Sequence, residues 1–308
     1  MGIPADHSRR PSARTGDPLP AGAAAPAVDA APAEPSTLRV ASYNLLHGIS
    51  LRSGAVDLDA AAAVVAGLDA DVIALQEVDR GLRRSGGVDQ VAVLAERSGL
   101  HGVFAPALTG DPDRSWTTVD GDGDGNAGEA YGVGLLSRLP LHAVRRVPLP
   151  GGGAGSRTPG RGDPRNPGWD HEPRVALRAR LDHDGRSVTV ATAHLSYLPW
   201  RGVAQLAAAL RGVAEGGGPA LLIGDLNLPS WPVRAGLCRV GGWGTTAAGP
   251  DGGGGWTHAG GAPTYPSWRP RIQVDQLLVR GGVRVCEVTV GAPGTSDHLP
   301  LHATVELP

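Results

Sequence analysis

The chain has 308 residues, 28 basic against 30 acidic for a formal net charge of −2, and 41% of it is apolar. That balance excludes a global basic field of the kind that drives nonspecific polynucleotide binding, and no run of about 20 apolar residues is present to span a bilayer. Every basic residue is Arg, which with the excess of Gly, Ala and Pro reads as compositional bias and not as a nucleic-acid signature.

Residues 1–36 are mostly Ala, Pro, Gly, Ser and Arg, with no aromatic residue and no apolar period, which predicts a disordered tail ahead of one folded domain over 37–308. Arg9-Arg10 is followed by Pro11, Asp17, Pro18 and Pro20 and not by a continuous apolar stretch, so the expectation is a cytoplasmic protein. Strand-like runs follow at 38–43, 72–76, 133–136, 175–181, 187–193, 220–224, 273–279, 283–290 and 301–307. Several are continuously apolar, as in sheets covered on both faces. Helical patterns fall at 57–68, which opens on an acidic cap, and at 88–98 and 201–213, with apolar residues at three- and four-residue spacing. The mixture predicts an α/β fold with two sheets and helices outside. Gly/Pro-rich stretches at 110–128, 148–170 and 241–261 read as surface loops around a site. Cys238 and Cys286 share no metal-binding spacing and are expected as buried thiols in a reducing compartment. The chain is expected to be a monomer.

Polar residues recur at the ends of the apolar runs. Ala41-Ser42-Tyr43-Asn44 ends on an amide, and Val72 to Gln76 leads into Glu77. Val190 to Ala193 delivers His194, and Leu221 to Gly224 leads into Asp225-Leu226-Asn227. Asp275 opens a strand, and Ser296-Asp297-His298 precedes the last one. A single such Asp is ordinary turn chemistry, but a cluster of Glu77, Asp225, Asp275 and Asp297 repels itself unless a divalent cation neutralises it. Oxygen donors of this kind suit Mg²⁺, with Mn²⁺ as the alternative, over Zn²⁺. A carboxylate beside His298 would fix its tautomer and make it a competent base.

Taken in order, SYNLLHG, IALQEVD, YGVGLLSR, ATAHL, IGDLN, VDQLLV and TSDHLPL resemble the endonuclease/exonuclease/phosphatase superfamily, over roughly residues 37–308. The resemblance implies a four-layer α/β/β/α sandwich, two mixed sheets face to face with helices outside, hydrolysing phosphate esters. It further implies that Asn44, Glu77 and Asp297 hold Mg²⁺ and that Asp225 and Asn227 bind the attacking water and a phosphate oxygen, or a second metal. Asp275 supports the site, Asp297 orients the base His298, and a protonated His194 stabilises the transition state. Arg174 clamps phosphate or organises the site. Abasic-site endonucleases of the superfamily carry Tyr where this chain has His194 and an acidic residue where it has Leu46, so both departures point away from DNA repair.

The expected substrate is phosphorylated, with nucleic acid, phospholipid and inositol phosphate left open. A nuclease is the rival within the enzyme class, and a non-catalytic phosphate-binding module the rival outside it. Arg80 and Arg84, just after Glu77, are candidates to reach a substrate head group, or else solvated loop charge. Trp268 and Arg269 are candidates for substrate stacking or phosphate gripping, or else for loop packing. The acidic run 120–125 opens like a calcium loop but has Tyr131 where a bidentate Glu belongs, so it reads as a flexible loop. His47, His101 and His302 are taken as structural.

Overall fold

A computed structural model describes residues 1–2, 36–119, 128–151, 170, 172–240 and 255–308. The chain divides after Glu34, and every described strand and helix belongs to the unit Pro35–Pro308. The expected tail apart from its ends, the Arg9-Arg10 pair, the run 120–125 and most of the loops at 148–170 and 241–261 lie outside the described residues.

In chain order the first strands are β1 (Ser36–Asn44), β2 (Ile49–Ser50), β3 (Ala55–Val56), β4 (Val72–Arg80) and β5 (His101–Asp111). Next come β6 (Ser115–Thr118), β7 (Ala130–Ser137), β8 (His142–Pro148), β9 (Val175–His183) and β10 (Arg186–Ala193). The last are β11 (Ala220–Asp225), β12 (Thr257–Ala259), β13 (Asp275–Arg280), β14 (Arg284–Val290) and β15 (Leu301–Leu307). Four α-helices intervene: α1 (Leu58–Gly67), α2 (Gln90–Ser98), α3 (Pro199–Ala214) and α4 (Ser230–Arg239). None of the described helices is long and apolar enough to cross a membrane.

One sheet has seven strands in the order β14-β15-β1-β4-β7-β5-β6, and the other has six in the order β12-β13-β11-β10-β9-β8. Each contains one parallel pair joined through a helix, β1 with β4 across α1 and β10 with β11 across α3. The sequence explains the layers. Leu38, Val40, Val72 and Ala74 of one sheet meet Val188, Val190, Leu221, Ile223, Leu277 and Val279 of the other in one apolar core. The alternate residues of the same strands face outward. Ala41, Tyr43, Ile73 and Leu75 pack under α1 and α2, and Ala191, Ala193 and Leu222 under α3 and α4. Burial on both faces is why these runs are continuously apolar. The result is the four-layer α/β/β/α sandwich that the resemblance implied.

Local chemistry sets the helix ends. Asp57 accepts the Ala60 N–H at 2.9 Å, the acidic cap read from the sequence, and Asp89 accepts from Ala92 at 3.0 Å to start α2. Two expectations are corrected. Cys238 and Cys286 are exposed free thiols, because Cys238 faces outward in the last turn of α4 and Cys286 stands on the exposed side of the outermost strand β14. The Gly-rich stretch at 110–128 is not all loop, since Ser115–Thr118 pairs with β5.

Candidate active site

The inter-sheet face runs polar at one end. Following every second residue, Leu38 and Val40 lead to Ser42 and Asn44; Val188 and Val190 lead to Thr192 and His194; Leu221 and Ile223 lead to Asp225; and Val279 and Leu277 lead back to Asp275. Asn44, His194 and Asp225 thus stand at the carboxyl ends of the parallel pairs, where open α/β sheets form their crevices. Just beneath them, Ser42 Oγ donates to Gln76 Oε1 at 3.3 Å and Gln76 Nε2 donates to Thr192 Oγ1 at 2.9 Å, a buried polar bridge between the sheets.

Glu77 reaches the crevice through a β-bulge. Leu75 pairs with Gly134 and Val78 with Gly132, so two residues of β4 oppose one of β7. The chain absorbs the extra residue with a left-handed Glu77, φ 53°. Asn227 (φ 50°) and His47 (φ 55°) are also left-handed non-glycine residues at the site, strain of the sort that functional centres retain. Opposite the bulge, Gly132 approaches the next strand so closely that a Cβ would lie 2.0 Å from the Ala105 carbonyl oxygen, which explains a glycine there.

The buried carboxylates gather around two imidazoles. Asp225 and Asp275 are register partners across β11 and β13. Asp275 Oδ2 lies 3.0 Å from His298 Nδ1 and therefore accepts its proton, while His298 Nε2 faces Asp225 Oδ2 at 3.6 Å. Asp297 does not orient His298. Its carboxylate, half-buried, accepts from Ser296 Oγ at 3.2 Å, because the adjacent side chain leaves the turn on another side. Tyr265 packs its ring 5.0 Å from the His298 ring. The turn bearing His298 is fixed from behind, where the Tyr43 hydroxyl accepts the Thr295 and Ser296 N–H groups at 2.9 and 3.0 Å.

His194 sits between an arginine and the carboxylates. Arg174 Nη1, a donor only, is 3.0 Å from Nδ1, so Nδ1 accepts and the ring proton stays on Nε2. That nitrogen is 3.5 Å from Asp225 Oδ2 and 3.1 Å from the Asn227 amide. Arg174 is itself tied to Asp170 at 3.2 Å and to Glu172 at 3.1 Å, so it organises the site from within. A second pair repeats the device. Arg84 binds Asp79 through both carboxylate oxygens, at 2.7 and 2.9 Å, donates from Nη1 to Asp113 at 2.8 Å, and turns its second Nη2 proton to His47 Nδ1 at 3.2 Å. His47 Nε2 then lies 3.2 Å from Glu77 Oε2. Arg84, half-buried, is therefore an organiser behind Glu77 and not a substrate contact, and His47 stands at the site although motif reasoning passed over it. Arg80 stacks its guanidinium 4.9 Å over Phe104, on the helix-covered side of the sheet, and is not brought to the cluster. Trp268 is 68% exposed, which overturns loop packing as its role, and Arg269 beside it is also exposed.

Electrostatics follow from this burial. Burial opposes charge on His298, but Asp275 and Asp225 outweigh it and push its pKa up to about 10. Burial and the neighbouring Asp275 hold the Asp225 carboxyl well above the usual range, against the pull of His298. Burial, then the Arg174 charge, bring His194 down to about 3, so His194 is neutral and not the cation expected from the sequence.

The donor set fits a hard divalent cation. Asp225, Asp275 and His298 present ligand atoms within 4.8 Å of one another, and Asp275 Oδ1 is buried with no hydrogen-bond partner. Asp297 is not in that group. Glu77 Oε1 adjoins them through Asn44 Nδ2, which donates to Glu77 at 3.3 Å and to Asp225 Oδ2 at 3.0 Å. Asn44 Oδ1 accepts the Leu46 N–H at 3.0 Å, so ligation through that oxygen requires the amide to turn over.

The sequence profile of the endonuclease/exonuclease/phosphatase family matches residues 41–298. Solved structures share the fold. An endonuclease/exonuclease/phosphatase from Beutenbergia cavernae is 24% identical over 88% of this chain and 72% of that one, with a TM-score of 0.57. Another from Bacteroides vulgatus is 17% identical over 89% of this chain and 100% of that one, with a TM-score of 0.60. ANGEL2, described as a 2',3'-cyclic phosphatase in complex with adenosine-2',3'-vanadate, is 17% identical over 89% of this chain and 97% of that one, with a TM-score of 0.57. Comparison with curated protein sequences finds no match.

Proposed function

The chain belongs to the endonuclease/exonuclease/phosphatase family, and from that membership we propose that it is a divalent-metal-dependent phosphoesterase that hydrolyses its substrate with an activated water and no covalent intermediate. The observation that carries the reading is the Asp275–His298 pair facing Asp225 at the polar end of the sandwich. A fold relative named as a 2',3'-cyclic phosphatase supports the reaction class.

Glu77, Asp225, Asp275 and a turned Asn44 would hold Mg²⁺ or Mn²⁺. When bound, such a cation supplies charge that shields the phosphate and offsets the carboxylate field on His298. Asp275 keeps the Nδ1 proton of His298, leaving Nε2 to take a proton from water near Asp225 as the water oxygen bonds phosphorus and the P–O bond to the leaving oxygen breaks. Neutral His194, its Nε2–H set by Arg174, and Asn227 donate to phosphate oxygens as charge develops.

A second reading exchanges the proton carriers. Asp225 is held high in its range and His298 is cationic in the metal-free site, which favours Asp225 as the base and His298 as a donor. Both readings are phosphoesterases. The class is tested by incubating the purified chain with Mg²⁺ or with EDTA and bis-p-nitrophenyl phosphate, plasmid DNA, RNA, phospholipids and inositol phosphates. Metal-dependent cleavage of any of these is expected. Cleavage of none, with the fold intact, supports a binding module instead.

A further inference from the structure

Five of the segments that border the crevice form one side of its rim: 45–56 after Asn44, 195–205 after His194, 226–236 after Asp225, 260–274 before Asp275, and 291–296 before Asp297. They contain five arginines, Arg52, Arg201, Arg234, Arg269 and Arg271, and no Asp or Glu, in a chain where acidic residues outnumber basic ones 30 to 28. All but Arg201 are exposed. The same segments hold almost every large apolar side chain that the described residues leave in solvent. Trp200, Trp231 and Trp268 are 69, 71 and 68% exposed, Tyr197 is 51%, Leu51 47% and Ile272 45%.

Hydrogen bonds tie these residues to one rim. The Leu51 N–H donates to Thr295 O at 2.9 Å, and Ser267, next to Trp268, donates to Ser296 O and Asp297 O at 2.8 and 2.7 Å. Ile272 donates to the Tyr265 carbonyl, and the Tyr265 ring lies on His298. Trp200 and Trp231 open the neighbouring helices α3 and α4, where Gly202 faces Leu228. These five segments thus make one side of the rim basic and stud it with exposed Trp, Tyr, Leu and Ile, while the acidic residues Asp79, Asp170 and Glu172 stand in the segments after Glu77 and before Arg174.

We propose that this rim is a docking surface for anionic lipid, and that the phosphate ester reaching the site lies in the headgroup layer of a membrane. The charge is complementary, since each basic residue near an anionic leaflet strengthens binding about fivefold. Trp and Tyr favour the boundary between headgroups and chains, and exposed aliphatic residues insert beside them. Single-stranded nucleic acid would share the arginines and the aromatic faces, but Leu51 and Ile272 have no π-face to offer a base, which favours lipid. The surface deepens the phosphoesterase reading and rests on it only for the substrate; docking itself needs no turnover.

The test is flotation of the full chain with vesicles of phosphatidylcholine alone or mixed equally with phosphatidylglycerol, with tryptophan emission recorded and an oligo(dT) 20-mer as the rival probe. Binding to the phosphatidylglycerol vesicles, weakened by salt and accompanied by a blue shift, is expected. The double variant Trp200→Ala/Trp231→Ala should lose about tenfold in vesicle affinity while cleaving soluble bis-p-nitrophenyl phosphate as the parent does. Arg269→Gln/Arg271→Gln should lose about 25-fold in vesicle affinity. Absence of vesicle binding, equal binding by the tryptophan variant, or binding to oligo(dT) alone overturns the proposal. A chain that binds vesicles and hydrolyses nothing overturns the phosphoesterase reading and leaves the docking surface standing.

Discussion

His298 Nδ1 is 3.0 Å from Asp275, 23 positions away, while the adjacent Asp297 bonds to Ser296. An imidazole held by a buried carboxylate keeps one tautomer and one orientation, so the distant aspartate, and not the neighbour, fixes His298. Asp275→Asn should lower kcat by about 10²- to 10⁴-fold. Asp297→Asn should lower it by less than about tenfold, because it leaves the Asp275 bond in place. Steady-state kinetics on one soluble diester, with circular dichroism to confirm folding, separates the two. Equal losses would return the orienting role to Asp297.

Arg84 donates to His47 Nδ1 at 3.2 Å, and His47 Nε2 lies 3.2 Å from Glu77. A lysine at 84 keeps the charge but cannot bind both Asp79 oxygens and still hold His47 Nδ1. Arg84→Lys should weaken Mg²⁺ binding about 10- to 100-fold, as loss of a group that orients a metal ligand does. Glu77→Gln should weaken it further. Calorimetric titration reads both without turnover, and an unchanged Arg84→Lys isotherm would reduce the relay to packing.

The pH dependence of stability carries the signature of His194. Burial and Arg174 hold its folded pKa down to about 3, against an ordinary 6.5. Above pH 6.5 it is neutral in both states. As the pH falls from 6.5 toward 3, the unfolded chain takes up a proton that the folded chain refuses, so stability is lost through that window. At pH 4 the loss is about 3 kcal/mol. His194→Gln should therefore lose less Tm than the parent between pH 7 and pH 4. In the same window the raised Asp225 changes stability the opposite way, and comparing parent with variant subtracts it. Parallel Tm curves would contradict a neutral buried His194.

The base is assigned by the pH–kcat profile of the residual activity in His298→Ala. If His298 takes the water proton, the acidic limb of the parent profile disappears in the variant. If Asp225 takes it, the limb persists.

Most central strands were legible in the sequence, because inter-sheet and outward residues are both apolar in Val72 to Leu75 or Leu221 to Ile223. β5 was not, since Gly102, Pro106 and Gly110 break its run and a register shift interrupts its pairing. β8, largely exposed at the sheet edge, and α4, which lacks a side-chain cap and carries Pro232, gave equally little local signal. Among the site residues, Asn44, Glu77, His194, Asp225, Asn227 and His298 follow from strand-end position. The partner of His298 does not, because it depends on β13 pairing with β11. Nor does His47, delivered by two successive left-handed residues, Leu46 and His47, that sequence pattern does not announce.

The most direct measurement is the turnover of bis-p-nitrophenyl phosphate by the parent with Mg²⁺, by the parent with EDTA, and by His298→Ala with Mg²⁺. The account predicts hydrolysis in the first case, none above background in the second, and a loss of at least about 10²-fold in the third with an unchanged fold. Equal rates with and without metal, or full activity in His298→Ala, would contradict it.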